Sequence, residues 1–234
     1  MYNILIDIGG TNFRISDSQD SKMTIIEHNI TTSEDMFLLI EKQIKLFMNK
    51  NIYDKMLNKI IIAFPGIVYK NKLYECNNLT CMNNNILPDK IIDIKCQYMN
   101  DGDLALLGEM EYNKVDKNKN ILNLIFGTGV GSGIWCDKLI TNSEVVKIFE
   151  GYLGGKKFKK DNIQEIRDKF VFDLGIVIEM INLDVIIING FIKNYKELII
   201  SKDDLEIRDF YKKKLQIIYS DCKEPVILGG KILK

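Results

Sequence analysis

The stretch Ile4-Leu5-Ile6-Asp7-Ile8-Gly9-Gly10-Thr11-Asn12-Phe13-Arg14 decides how this chain is read. An apolar strand delivers one carboxylate to its end, two glycines follow, and the chain returns through Thr11 toward a second strand. Glycine adopts backbone shapes closed to other residues and lets a ligand approach the main chain. A buried carboxylate is costly unless something pairs with it. Together these features suit a turn where backbone amides, a hydroxyl and an Asp-held Mg2+ meet a nucleotide's phosphates. Asp-Gly-Gly would equally serve an ordinary hairpin turn, and the rest of the chain has to decide.

Outward from this stretch, strands and helices alternate. Strand-like runs are Asn3–Ile8, Asn12–Ser16 and Met23–Ile30, followed by a helix from Ser33 to Asn49. Phe37, Ile40, Ile44 and Phe47 recur there at helical spacing, and Ser33 offers a cap. Lys59–Phe64 is a strand ending at Pro65-Gly66, Asn71–Pro88 reads as a loop, and Ile91–Cys96 reads as another strand. A second helix, Gly102–Tyr112, starts directly after Asn100-Asp101. The polar segment Asn113–Asn120 marks a domain joint. Ile121–Phe126 is then a strand running into Gly127-Thr128-Gly129-Val130-Gly131-Ser132-Gly133, and Ile134–Asp137 returns. Asn162–Asn182 forms a long helix, Asp184–Asn189 a strand buried on both faces, and Val226–Leu228 a last strand before Gly229-Gly230. The halves echo each other, which hints at internal duplication.

Composition removes several classes of function. The 234 residues can bury a real core. Acidic and basic residues number 32 each, so no overall field draws the chain to nucleic acid or acidic lipid. No apolar run is long enough to cross a bilayer, and none resembles a signal peptide. The odd set Cys76, Cys81, Cys96, Cys136 and Cys222, without CxxC spacing, suits a reducing cytoplasm. The expectation is a cytoplasmic protein that binds neither nucleic acid nor membrane.

Two common phosphate-binding patterns fail. Nothing supplies the Gly-x-x-x-x-Gly-Lys-Ser/Thr of a P-loop. Gly127, Gly129, Gly131 and Gly133 alternate and run into Ile134-Trp135-Cys136, which is strand-loop-strand and not the strand-to-helix context of a dinucleotide fold. Two glycine hairpins remain, one near the start of each half.

The ordered motifs resemble the sugar kinases of the ROK family, within the actin and hexokinase superfamily. Asp7-Ile8-Gly9-Gly10-Thr11-Asn12 looks like the family's first phosphate motif, and Leu124–Gly133 its second. Pro65-Gly66 matches the Pro-Gly after a core strand. Asn100-Asp101-Gly102-Asp103-Leu104-Ala105-Leu106-Leu107-Gly108-Glu109 matches the segment carrying the catalytic aspartate. Asp184–Gly190 resembles the segment beside the adenosine site, with Asn189 in place of its first glycine, and Lys223–Leu233 the closing stretch. The resemblance implies an α/β fold of two ribonuclease-H-like (actin-like ATPase) lobes with a cleft between them. The first, residues 1–115, would carry the first hairpin and the catalytic Asp, and the second, 116–234, the second hairpin and adenosine side.

It also implies ATP-dependent phosphorylation of a hexose-type hydroxyl, with Asp101 as general base. Asn100 would bind a neighbouring hydroxyl, and Asp7 would hold Mg2+ largely through water. Gly9, Gly10, Thr11, Asn12, Gly127, Thr128, Gly129 and Gly190 would contact the nucleotide. Asp101 could alternatively be a helix cap. Asp103 and Glu109 read as surface groups or groups behind the site. The partners expected are a small sugar and a nucleotide, with a twofold homodimer the default assembly.

One segment departs from the pattern. Where the family continues with Gly-Glu-x-Gly-His, this chain has Gly151-Tyr152-Leu153-Gly154-Gly155, putting Tyr152 for the sugar-binding Glu and Gly155 for the His. Glu150, one place earlier, could supply the carboxylate, and Tyr152 an apolar wall. The cysteine-rich zinc loop is missing, and Lys156-Lys157-Phe158-Lys159-Lys160 leads into the long helix, so no zinc is expected. An N-acetylhexosamine or N-acetylmannosamine substrate is the alternative, as is a degenerate nucleotide- or sugar-binding relative. Relatives that act as repressors carry a DNA-binding region before the first motif. Asp7 stands almost at the N-terminus, so a repressor is not expected.

Overall fold

The computed structural model describes residues 1–19, 22–50, 56–143, 145–155 and 157–233. Lys156 of the lysine run lies outside the described residues. The chain divides into two compact units, one of Met1–Gly108 with Val226–Lys234, the other Glu109–Pro225. The break therefore falls at Gly108/Glu109 and again at Pro225/Val226, and not once near residue 115.

The first unit is built on β1 (Tyr2–Ile8), buried at every position, which turns back into β2 (Asn12–Asp17) and β3 (Thr24–Glu27). Helix α1 (Ser33–Lys50) buries Met36, Ile40, Ile44 and Phe47. Its cap is Thr32, not the expected Ser33. The Thr32 hydroxyl accepts the Asp35 amide at 3.2 Å and donates to the Asp35 carboxylate at 2.7 Å, satisfying a donor the helix leaves open.

Strand β4 (Leu57–Phe64) lies parallel to β1. The expected loop Asn71–Pro88 instead holds β6 (Lys72–Glu75) and β7 (Asn85–Ile86), which form a small sheet with the preceding β5 (Ile67–Tyr69). Strand β8 (Lys90–Ile91) then turns through Ile92 and Asp93, both at positive φ, into β9 (Ile94–Asn100). The expected strand at Ile91–Cys96 therefore begins later and reaches Asn100, which hands over directly to helix α2 (Asp101–Tyr112). The sheet order is β3-β2-β1-β4-β9-β8.

The second unit repeats the plan. Strand β10 (Ile121–Phe126) pairs antiparallel with β11 (Val130–Cys136), which pairs with β12 (Lys138–Ile140). Helix α3 (Val146–Leu153) is followed by α4 (Ile163–Ile181), whose Phe170, Leu174, Val177 and Ile178 are buried. Asn182 ends α4 in the left-handed conformation, φ 58°. Strand β13 (Val185–Gly190) runs parallel to β10, and after the short helix α5 (Asp209–Lys214) strand β14 (Gln216–Tyr219) runs parallel to β13. The order β12-β11-β10-β13-β14 matches the first sheet's β3-β2-β1-β4-β9 in position and strand direction. The hinted duplication is therefore visible in topology.

The expected last strand at Val226–Leu228 is a helix, α6 (Pro225–Ile232). Pro225 sits at the first helical position, where its missing N–H costs nothing. Gly229 lets α6 lie against α2, since a Cβ there would stand 1.9 Å from the Leu104 carbonyl oxygen. Each unit has its own apolar core: Ile4, Ile6, Ile60 and Ile62 with α1 in the first, Leu122, Leu124, Ile186 and Ile188 with α4 in the second. Among the described residues no helix is long and apolar enough to cross a membrane.

Candidate active site

The end of β1 places Asp7 opposite Arg14 in the antiparallel register with β2. Arg14 Nη1 donates to Asp7 Oδ2 at 2.9 Å, so the buried carboxylate has its partner. Burial still pushes the Asp7 carboxyl above its ordinary range, with Arg14 opposing that rise. The Gly9 amide closes the turn on the Asn12 carbonyl at 2.8 Å, and the Thr11 side is exposed. Gly10 is packed against the segment after β6. A Cβ on Gly10 would stand 2.9 Å from the Asn78 carbonyl oxygen, so this position has no room for another residue.

Strand β9 carries Asn100 and Asp101 to the same end of the same sheet. The Asn100 side chain caps α2, its Oδ1 accepting the Asp103 amide at 3.1 Å, while its Nδ2 donates to the Gly66 carbonyl at 2.9 Å. The capping role that competed for Asp101 thus belongs largely to its neighbour. Asp101 Oδ1 accepts the adjacent Gly102 amide at 2.8 Å. Desolvation, then the charge of Asp7, raises the Asp101 carboxyl to about 7, against the Gly102 hydrogen bond. A carboxyl poised there can hold or release a proton near neutrality. The first unit thus carries Asp7, Gly9, Gly10, Thr11, Asn12, Asn100 and Asp101 at one end of its sheet.

In the second unit β10 and β11 meet at Gly127-Thr128-Gly129, where the Gly127 amide donates to the Gly129 carbonyl at 2.9 Å. Gly127 and Thr128 are exposed at the tip. The segment after α3 folds onto this turn, the Gly155 amide donating to the Gly127 carbonyl at 3.0 Å. Glu150 Oε1 lies 3.2 Å from where a Gly129 Cβ would stand. Gly190 ends β13 at φ +94°, with a Cβ position 2.0 Å from the Phe126 carbonyl oxygen, so glycine is required twice over. Gly127, Thr128, Gly129 and Glu150 are neighbours here. Tyr152 turns elsewhere, its hydroxyl donating to Asp173 Oδ2 at 2.7 Å beneath Lys169.

The ROK family model matches residues 3–146. This chain belongs to the ROK family. Its fold is that of solved ROK structures, at low identity. An inorganic polyphosphate/ATP-glucomannokinase from Arthrobacter sp. strain KM is 19% identical, with a TM-score of 0.78 over 99% of this chain and 97% of that one. A putative N-acetylmannosamine kinase from Listeria monocytogenes is 18% identical, with a TM-score of 0.74 over 99% and 97%. A ROK family transcriptional regulator, a homologue of the E. coli MLC protein, is 15% identical, with a TM-score of 0.77 over 98% of this chain and 77% of that one. No curated protein sequence matches it significantly. The expected two-lobed actin-like ATPase fold is therefore the fold of this ROK chain.

Asp103 and Glu109, read from sequence as surface groups or groups behind the site, are 1% and 0% exposed. Glu109 accepts from Asn113, Ser220 and, at 2.6 Å, Asn189 Nδ2, which also reaches the Cys222 carbonyl. Asn189 is thereby knitted into a buried polar network, its Oδ1 accepting the Gly190 amide at 2.6 Å. Sequence reasoning missed Arg14 as the partner of Asp7, although their two-strand spacing across a short hairpin was available as a signal.

Proposed function

We propose that this ROK chain is a cytoplasmic kinase that transfers the γ-phosphoryl group of ATP to a hydroxyl of a hexose-type sugar. The observation that carries this reading is Asp101, a desolvated carboxyl beside Asp7 whose proton affinity sits near neutrality and whose capping duty Asn100 has assumed. As the new phosphorus–oxygen bond forms and ADP leaves, Asp101 takes the hydroxyl proton. Asn100, with both ends of its amide engaged, holds Asp101 at the start of α2 and keeps one Nδ2 hydrogen for a substrate hydroxyl. The amides of Gly9–Asn12 suit phosphate oxygens, as do those of Gly127–Gly129. Glu150 is the carboxylate available to the sugar.

Asp7 fits a Mg2+ that arrives with the nucleotide. It is a buried carboxylate with raised proton affinity, so added positive charge is welcome there. Among the described residues no group of three or more His, Cys, Asp or Glu is arranged to hold a metal, which suits an ion held by one carboxylate, waters and phosphates. When bound, that ion would neutralise charge on the phosphates.

A second reading, a nucleotide- or sugar-binding relative without turnover, draws on Tyr152. At the position of the family's sugar-binding Glu, its hydroxyl is turned to Asp173. A coupled assay of ADP release decides between them, run with glucose, mannose, fructose, allose, N-acetylglucosamine and N-acetylmannosamine beside calorimetric titration of Mg-ADP. Sugar-dependent ADP release supports the kinase. Nucleotide binding with no sugar-dependent release supports the second reading, and no nucleotide binding at millimolar concentration removes both.

A further inference from the structure

We infer that His28, the only histidine of the chain, is a positioning residue that aims the amides of the first phosphate hairpin. The inference rests on the proposed reading of Gly9–Asn12 as a phosphate-binding turn.

Strand β3 ends at Glu27, which pairs with Asn12, so His28 follows at the level of Thr11. It touches the hairpin twice. Its backbone N–H donates to the Thr11 carbonyl at 2.9 Å, and its ring Nε2 lies 3.0 Å from the Gly9 carbonyl oxygen. A carbonyl only accepts, so Nε2 carries the proton in this contact. The other ring nitrogen, Nδ1, is buried and has no hydrogen-bond partner among the described residues. Among the described residues the Gly9 contact is thus the ring's one hydrogen bond, although leaving Nδ1 unpaired costs free energy.

The consequence follows from peptide planarity. Among the described residues every peptide is trans, so each C=O points opposite to the N–H of the next residue. Holding the Gly9 carbonyl toward His28 turns the Gly10 N–H away from it. Holding the Thr11 carbonyl does the same for the Asn12 N–H. Two donors are thereby fixed, alternating along the turn, in the arrangement that receives an anion.

Without such a latch the Gly9–Gly10 peptide is the weak point. Two successive glycines rotate freely, and a flipped peptide would present a carbonyl oxygen where a donor is needed. Flipping it here breaks the Nε2–H···O contact. Preorganised donors outperform donors that must be ordered on binding.

The geometry distinguishes two amide replacements. The amide of Gln extends to about the reach of Nε2, whereas that of Asn extends only to about the reach of Nδ1, where no partner waits. The test compares His28→Ala, His28→Gln and His28→Asn with the unmodified protein in Mg-ADP affinity, KM for ATP and for sugar, thermal midpoint, and amide 15N spectra. We expect His28→Ala and His28→Asn to weaken Mg-ADP binding and raise KM for ATP on the order of three- to tenfold, the scale of one hydrogen bond. KM for sugar should stay unchanged, and His28→Gln should recover most of the loss. The Gly10 and Asn12 amide signals should shift in His28→Ala more than those elsewhere in β1 and β2.

Nucleotide affinity in His28→Ala equal to that of the unmodified protein would overturn the inference. So would His28→Gln as impaired as His28→Asn at equal thermal midpoints. If the unmodified protein binds no nucleotide, the reading of the hairpin fails first. The Gly10 and Asn12 signals then report separately on His28, and their constancy in His28→Ala would overturn its positioning role as well.

Discussion

Asp7 raises the proton affinity of Asp101: after desolvation, the charge at the end of β1 is the largest influence on the carboxyl that opens α2, and it helps carry that group to about 7. A base must be ionised to accept a proton. The expected kcat/KM therefore falls as pH drops below about 7, where free Asp101 becomes protonated. The acid limb of kcat reports the same group once the substrates are bound. Measuring both limbs with one sugar checks this, and a kcat/KM profile flat down to pH 5 would contradict it.

The same shift makes a prediction about stability. A carboxyl held above its ordinary value of 3.8 in the folded state binds protons more tightly there than in the unfolded chain. That contribution is fully present below about pH 4 and is lost as pH rises through about 7. Asp101→Asn removes the titration. The difference in Tm, variant minus unmodified, should therefore grow between pH 5 and pH 8 in the absence of nucleotide, as scanning calorimetry at the two pH values can show.

Asp101→Asn should also separate turnover from nucleotide binding. The amide keeps the shape and can still accept the Gly102 N–H, but it cannot take the hydroxyl proton. Loss of a general base typically costs on the order of 10²–10⁴ in rate. We expect kcat to fall by that factor while the Mg-ADP dissociation constant changes little. Full activity in the variant would remove Asp101 from the chemistry.

Where the sequence was legible, a repeated physical signal made it so. The run Ile4–Ile6 and the run Val185–Ile188 are apolar on both faces because each lies on an inner strand of its sheet. Glycines at Gly9-Gly10 and at Gly127–Gly129 marked the two turns. The misreadings concern short elements. Val226-Ile227-Leu228 is too brief for periodicity to tell helix from strand, and what settles it is Gly229 against the Leu104 carbonyl, a contact from more than a hundred residues away in sequence. The strands of two to four residues between Ile67 and Ile91 carry no alternation to detect. Asn100 and Asp101 could each cap a helix from sequence alone, and only the Asp103 amide on Asn100 Oδ1 separates them. Glu109 read as a surface or outlying group because its partners, Asn189 and Ser220, lie far along the chain.

Tyr152 provides a test of how the trimmed segment is used. Its hydroxyl donates to Asp173, a buried carboxylate on α4 that also receives Lys169 at 3.0 Å. Removing the hydroxyl by Tyr152→Phe should lower stability by about 1 kcal/mol, the scale of one such bond. If the side chain acts only within the second unit, KM for sugar stays unchanged while Tm falls. A raised KM at unchanged Tm would instead return Tyr152 to the substrate.

The last prediction concerns Gly155, which the resemblance to the family sets at the place of a histidine. Restoring it looks like a route to stronger sugar binding, but the local packing argues against that outcome. The Gly155 amide donates to the Gly127 carbonyl at 3.0 Å, and a Cβ on Gly155 would stand 2.5 Å from that same oxygen. Backbone cannot retreat as a flexible side chain can, so the segment or the turn must shift. Overpacking of this kind costs about 1–3 kcal/mol. Because the displaced group is the carbonyl of Gly127, the disturbance falls on the turn proposed to receive phosphate. Gly155→His and Gly155→Ala should therefore both lower Tm and weaken Mg-ADP binding, with no gain in kcat/KM for any sugar. Since alanine adds the Cβ and nothing else, equal losses in the two variants would assign the effect to the contact with Gly127. A Gly155→His enzyme with improved kcat/KM and an unchanged Tm would show that the segment does not rest on the turn in solution.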